Sequence, residues 1–164
     1  MRSLFSFPNP VNEVSARLVA AGVVLMSVLA IAFDLKWLTV VIAYGFVARV
    51  LTGPTLSPLG QLVTRVITPR LGLAARPVVG PPKRFAQGIG TAFSLSALVL
   101  TGLGYWTAAQ AVLGLLVVAA TLEAALGICL GCMTFGVLMR AGVVPDEVCE
   151  RCNDIWATPR GAAV

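Results

Sequence analysis

Histidine is absent from the 164 residues, and charge of either sign is scarce. Seven acids and twelve bases make up 12% of the chain, where a soluble domain carries about a quarter. Without histidine no imidazole serves as metal ligand or general base. The shortage of charge argues against a soluble globular class: 58% of residues are hydrophobic and mean hydropathy is +0.92, the composition of an integral membrane protein. A net charge of +5 would suit nucleic acid, but the bases are mostly arginines beside apolar runs. Topology and anionic lipid require that placement, so the expected partner is membrane lipid and not nucleic acid. Linker-like and low-complexity stretches are also missing. One membrane domain over 1–142 and a cysteine-bearing tail over 143–164 are expected.

Four cysteines stand out against this background. They form two brackets, Cys129-Leu-Gly-Cys132 in an apolar run and Cys149-Glu-Arg-Cys152 in a polar one, with 16 residues between. In a chain without histidine, such pairs either hold one metal together or act as two dithiols passing electrons or sulfur. C-x2-C twice across a gap of this size has the form of a four-cysteine zinc site, and thiolates also suit an iron–sulfur cluster. Against metal, a bracket on a continuous apolar helix points its sulfurs along one edge. The redox reading makes Cys149 and Cys152 the pair that meets a soluble partner and Cys129 and Cys132 the pair at the membrane edge. Persulfide handling belongs to the same class.

Four apolar runs predict an all-α fold of four membrane spans in two hairpins. They cover Leu18–Phe33, Trp37–Leu51, Phe85–Leu103, and a fourth from Trp106 to beyond Cys132. Asn12 suits the N-cap of the first. Ala30-Ile-Ala32 resembles a signal-peptide cleavage site, but the further spans favour a retained anchor. The connection between the second and third runs holds Arg65, Arg70, Arg76, Lys83 and Arg84. The positive-inside rule therefore puts that connection and both termini on the cytoplasmic side of the plasma (inner) membrane. Thiols on that side meet a reducing compartment, which disfavours structural disulfides. From Pro58, residues Leu59, Leu62, Val63, Val66 and Ile67 repeat at helical spacing until Pro69. This pattern predicts an amphipathic helix lying in the interface or packed on the spans.

Glu123 is the one acid well inside a span, and Arg49 approaches the same edge from the second run. Ionisable groups at that depth are expensive unless paired, so an Arg49–Glu123 ion pair is expected, for packing or for proton handling. Gly127 and Gly131 give a G-x-x-x-G spacing around Cys129 that lets a neighbouring helix approach. The fourth run cannot be one span: a helix from Trp106 to Arg140 would reach about 51 Å against a core of about 30 Å. The chain beyond Cys129 must bend, lie along the surface or pack under another segment. Arg49, Gln87, Gln110 and Glu123 are the residues that could line a polar path in a transporter.

Several segments together resemble a known family. They are F-P-N-P-V-N-E at 7–13, G-P-T-L-S-P-L-G at 53–60, G-P-P-K-R-F-A-Q at 80–87, and E-x5-C-L-G-C from Glu123 followed by E-V-C-E-R-C. They resemble the bacterial membrane family termed domain of unknown function 4395, similar in layout to four-helix proteins of the DoxX and MauE type. The resemblance implies thioredoxin-like or rhodanese-type sulfurtransferase partners and supplies no catalytic residues. Vitamin K epoxide reductase is a comparison of mechanism alone, and through it quinone stays open as an electron acceptor. The expected function is membrane thiol–disulfide or persulfide exchange at the cytoplasmic face, carried by Cys129, Cys132, Cys149 and Cys152 with Glu123 and Arg49. The alternative is a scaffold in which the same four sulfurs hold zinc or an iron–sulfur cluster. A homo-oligomer is compatible with either.

Overall fold

The computed structural model describes residues 10–72 and 76–143. It is all-helical apart from one short antiparallel bridge between β1 (Val11–Asn12) and β2 (Pro77–Val78). The helices are α1 (Glu13–Ala32), α2 (Leu38–Thr52), α3 (Pro58–Leu62), α4 (Thr68–Arg70), α5 (Gly80–Gly102), α6 (Trp106–Thr121) and α7 (Leu130–Arg140). A π-helical turn, Val63–Ile67, joins α3 to α4, and a second, Leu122–Leu126, extends α6.

Among the described residues, three helices are long and apolar enough to cross a membrane: Glu13–Ala32, Gly80–Gly102 and Trp106–Leu126. At 1.5 Å per residue each matches or exceeds a hydrocarbon core of about 30 Å. The predicted second span, α2, is a 15-residue helix and falls short of that length. Local chemistry sets the ends. Asn12 caps α1 as expected, its side-chain oxygen accepting from Val14 N–H at 3.1 Å and from Arg76 N–H at 3.3 Å. After α1, Asp34 adopts φ 51°, a left-handed conformation that Asp tolerates better than most residues. Its carboxylate accepts from Trp106 Nε1 at 2.7 Å and from Gln110 Nε2 at 3.2 Å, tying the first hairpin to α6.

The helices pack as a ring in which α1 touches α2 and α6, and α5 touches α2, α6 and α7. The interior is lined by modest side chains: Val23, Ala30, Ile42, Ala97, Ala109 and Leu113, with Ser27, Thr39 and Ser94 buried among them. Larger apolar groups point outward; Leu25, Val99, Leu115 and Val118 are each about 60% exposed. Water would not tolerate that distribution, and hydrocarbon does. The chain is a membrane protein.

Two expectations about the helices are corrected. The segment from Pro58 starts where predicted, with Ser57 Oγ accepting from Gly60 N–H at 3.2 Å, but it runs through Pro69 to Arg70. Its π turn adds a residue to the period, so Val63 and Thr68 share the buried face while Leu62 is 49% exposed. Thr68 Oγ1 meets Ser15 Oγ at 3.0 Å, and Leu59 covers Gly22 of α1. The segment is thus packed on the protein's own spans along part of its length. The fourth run breaks at Gly127, φ 71°, a conformation that costs glycine nothing. Gly127 and Gly131 therefore lie on different elements and form no single packing ridge.

Candidate functional site

The break at Gly127 builds the site. Its left-handed turn closes the π turn of α6, with Gly127 N–H donating to Glu123 O at 3.1 Å and Ile128 N–H to Leu122 O at 3.1 Å. Arg17 of α1 reaches across to the carbonyls left open there, Nε donating to Ala124 O at 3.1 Å and Nη2 to Ala125 O at 2.7 Å. A cation on carbonyls at a helix end is favourable on charge as well as on hydrogen bonding. The chain leaves this turn extended, and Cys129 becomes the N-cap of α7.

Cys129 Sγ accepts the Cys132 N–H at 3.4 Å, the bond a serine or aspartate oxygen makes in an ordinary cap. Cys129 is buried and Cys132 half-buried; both are free thiols. Gly131, between them, allows α7 to press on α5: a Cβ there would stand 2.5 Å from Ala86 Cα. Phe135 packs on Phe85 with centroids 5.5 Å apart and completes the contact. The close approach expected of Gly131 is therefore real, and its partner is α5.

Opposite the sulfurs lies an ion pair. Lys83 Nζ of α5 donates to Glu123 Oε1 at 2.6 Å, with side chains 10% and 17% exposed. Both charges act on both sulfurs. The thiol pair lies past the end of the spanning helix, and its two members differ. Hydrogen bonding from the Cys132 side chain holds the Cys129 thiol below its ordinary value, helped by Lys83 and the Cys132 N–H, against burial and Glu123. The same shared hydrogen bond, then burial, pushes Cys132 well up. The two sulfurs are therefore inequivalent, Cys129 being the more acidic of the pair.

Glu123 pairs with Lys83 and not with Arg49. Arg49 is 5% exposed and is held by Gln87, whose Oε1 accepts from Nε at 3.0 Å, and by Ser57 Oγ, 3.2 Å from Nη1. Its guanidinium stacks on Phe46 at 4.5 Å and remains within the electrostatic reach of Glu123. The physical reason is azimuth: the first turn of α5 faces the π turn of α6, while Arg49 faces the second turn of α5. A sequence signal for Lys83 exists. A lysine just after Pro81-Pro82 sits in the first turn of a helix, where a cation is unfavourable without an anion beside it. Gln110 bonds Asp34 at the other end of the bundle, so the four residues of the transporter reading are not brought together.

Cys149 and Cys152 lie outside the described residues. Among those described, no group of three or more Cys, Asp or Glu side chains could hold a metal ion. A four-sulfur centre would therefore need the second bracket.

A small all-helical membrane protein with a capped thiol pair beside a buried ion pair is the class these features define. Within that class, the chain belongs to the family described as domain of unknown function (DUF4395), whose model matches residues 11–140. No curated protein and no solved structure matches it.

Proposed function

We propose that this protein exchanges thiols and disulfides, or carries a sulfane sulfur, at the cytoplasmic face of the plasma (inner) membrane. The partner would be a thioredoxin-like protein or a rhodanese-type sulfurtransferase. The capping of α7 by Cys129 Sγ supports this reading most directly, because it stabilises the thiolate that must attack. In the exchange, Cys129 thiolate attacks one sulfur of a disulfide, either the partner's own or one the partner has passed to Cys149 and Cys152, and the other sulfur of that disulfide leaves as a thiolate. Cys132 then loses its proton and attacks Cys129 Sγ. The Cys129–Cys132 bond forms, the mixed disulfide breaks, the dithiol is oxidised by two electrons and the attacked disulfide is reduced. Run backward, the same steps deliver electrons to the pair.

In this proposal α2 is the fourth crossing, its 15 residues completed at the membrane edge by the packed segment after Pro58. Both termini are cytoplasmic, on the side of Arg65, Arg70, Arg76, Lys83 and Arg84. Cys132→Ser should trap a mixed disulfide between Cys129 and the partner in cells, and Cys129→Ser should trap none.

One observation favours the metal-scaffold alternative. The break at Gly127 presents the first bracket on a turn rather than on a continuous helix, the manner of thiolate zinc sites. Stoichiometric zinc or iron in protein purified under reducing conditions, released by any single Cys→Ser change and with no trapped partner, would replace the exchange reading with that one.

A further inference from the structure

The apolar exterior does not stop where the last spanning helix stops. Val118 and Leu126 are 59% and 64% exposed on that helix, and beyond the break Ile128, Leu130, Met133 and Val137 carry the same surface onward at 41–62%. On α7, Leu130, Met133 and Val137 share one outward face, while Phe135 and Met139 are buried on the inward face. From Leu130 to Met139 the helix bears no charge; Arg140, exposed, closes its last turn. α7 is fixed through Gly131 and Phe135 to the first turns of α5, the turns that carry Lys83 and Arg84. It therefore sits where the spanning helices emerge.

We infer that the outward face of α7 is immersed in the lipid interface, with Arg140 reaching the headgroups. Continuity with the lipid-facing side of the spanning helix selects lipid over a soluble partner. A ten-residue uncharged helix standing in water would hold an apolar stripe against solvent along its length. A helix apolar on both faces with a basic end, lying at the boundary, buries one face on α5 and the other in lipid while Arg140 meets the headgroups. The inference is independent of the sulfur chemistry; combined with it, Cys129 works at headgroup depth.

Nitroxide scanning tests it. In a chain with Cys129, Cys132, Cys149 and Cys152 replaced by Ser, single probes are placed through Leu130→Cys, Met133→Cys, Val137→Cys and Arg140→Cys. The protein is reconstituted in vesicles of phosphatidylcholine with phosphatidylglycerol. Collisions with oxygen should exceed those with a water-soluble nickel chelate at 130, 133 and 137, and the order should reverse at 140. Nickel dominance at all four positions would make the face a docking site for a soluble protein, and low access to both reagents would mean that protein covers it. Either result overturns the inference. The native chain gives a second reading without substitutions. Phosphatidylcholine bearing a diazirine in its acyl chain should label the peptide containing Met133 and Val137. Adducts confined to the spanning helices would sink the proposal.

Discussion

The Lys83–Glu123 pair permits a quantitative test of the site. Replacing Lys83 by Met or Glu123 by Gln removes one charge with little change of volume. Breaking a buried pair by removing one partner costs about 3–5 kcal/mol, because the charge left behind is uncompensated. With side chains 10% and 17% exposed, the single losses should fall toward the lower end of that range. They should also be unequal. Glu123→Gln leaves Lys83 without its anion and takes from Arg49 the acid it feels, whereas Lys83→Met leaves Glu123 within reach of Arg49. The acid substitution should therefore cost more. Removing both partners should restore most of the loss, giving a coupling of about 2 kcal/mol or more, near the top of the range for residues in contact. The cycle is read by equilibrium unfolding in mixed detergent micelles, with Arg49→Gln in place of Lys83→Met as the control cycle. Additive losses for Lys83 and Glu123, or a larger coupling in the Arg49 cycle, would refute the assignment.

Two further outcomes follow from the geometry. Gly131→Ala should destabilise by about 1–3 kcal/mol, the usual cost of overpacking, since its Cβ would meet Ala86 backbone rather than a flexible side chain; a silent substitution in the same unfolding assay would mean that α7 does not press on α5. For the thiols, alkylation of Cys129 by iodoacetamide, followed by mass spectrometry across pH, should persist below the ordinary thiol range, and Cys132 should lag even in alkaline buffer. Only the thiolate reacts, so a lowered value keeps reactivity as pH falls and a raised value delays it as pH rises. Lys83→Met should shift the Cys129 profile upward and Glu123→Gln downward. Shifts of one sign for both would point to structural damage instead.

Much of the fold is legible in the sequence because it depends on local chemistry or on bulk composition. Asn12 reads as a cap, Pro58 as a helix start, and four apolar runs as spans, three of which form helices long enough to cross. What escapes depends on azimuth and register. Hydropathy gives the depth of Arg49 and Glu123 along their helices, but not which faces meet, so it points Glu123 to Arg49 where the structure pairs it with Lys83. The length of the fourth run demands an interruption without locating it. Gly127 and Gly131 have the same spacing whether both pack a helix or, as here, one turns the chain and the other packs. The two π turns carry no compositional mark, and one of them rotates Val63 and Thr68 onto a face that regular spacing assigns to other residues.

The turn at Gly127 also decides the electric field at the sulfurs. Peptide dipoles along an unbroken helix from Trp106 would leave Cys129 and Cys132 on its later turns, toward an end carrying roughly half an electron of negative charge, a setting that favours a neutral thiol. Ending that helix at Gly127 and starting another at Leu130 puts Cys129 instead at a positive pole of comparable size. The side chains, their order and their separation along the chain are the same in both arrangements. One left-handed glycine moves Cys129 from the later turns of one helix to the start of another, and Gly127→Ala would act on that sulfur without touching it.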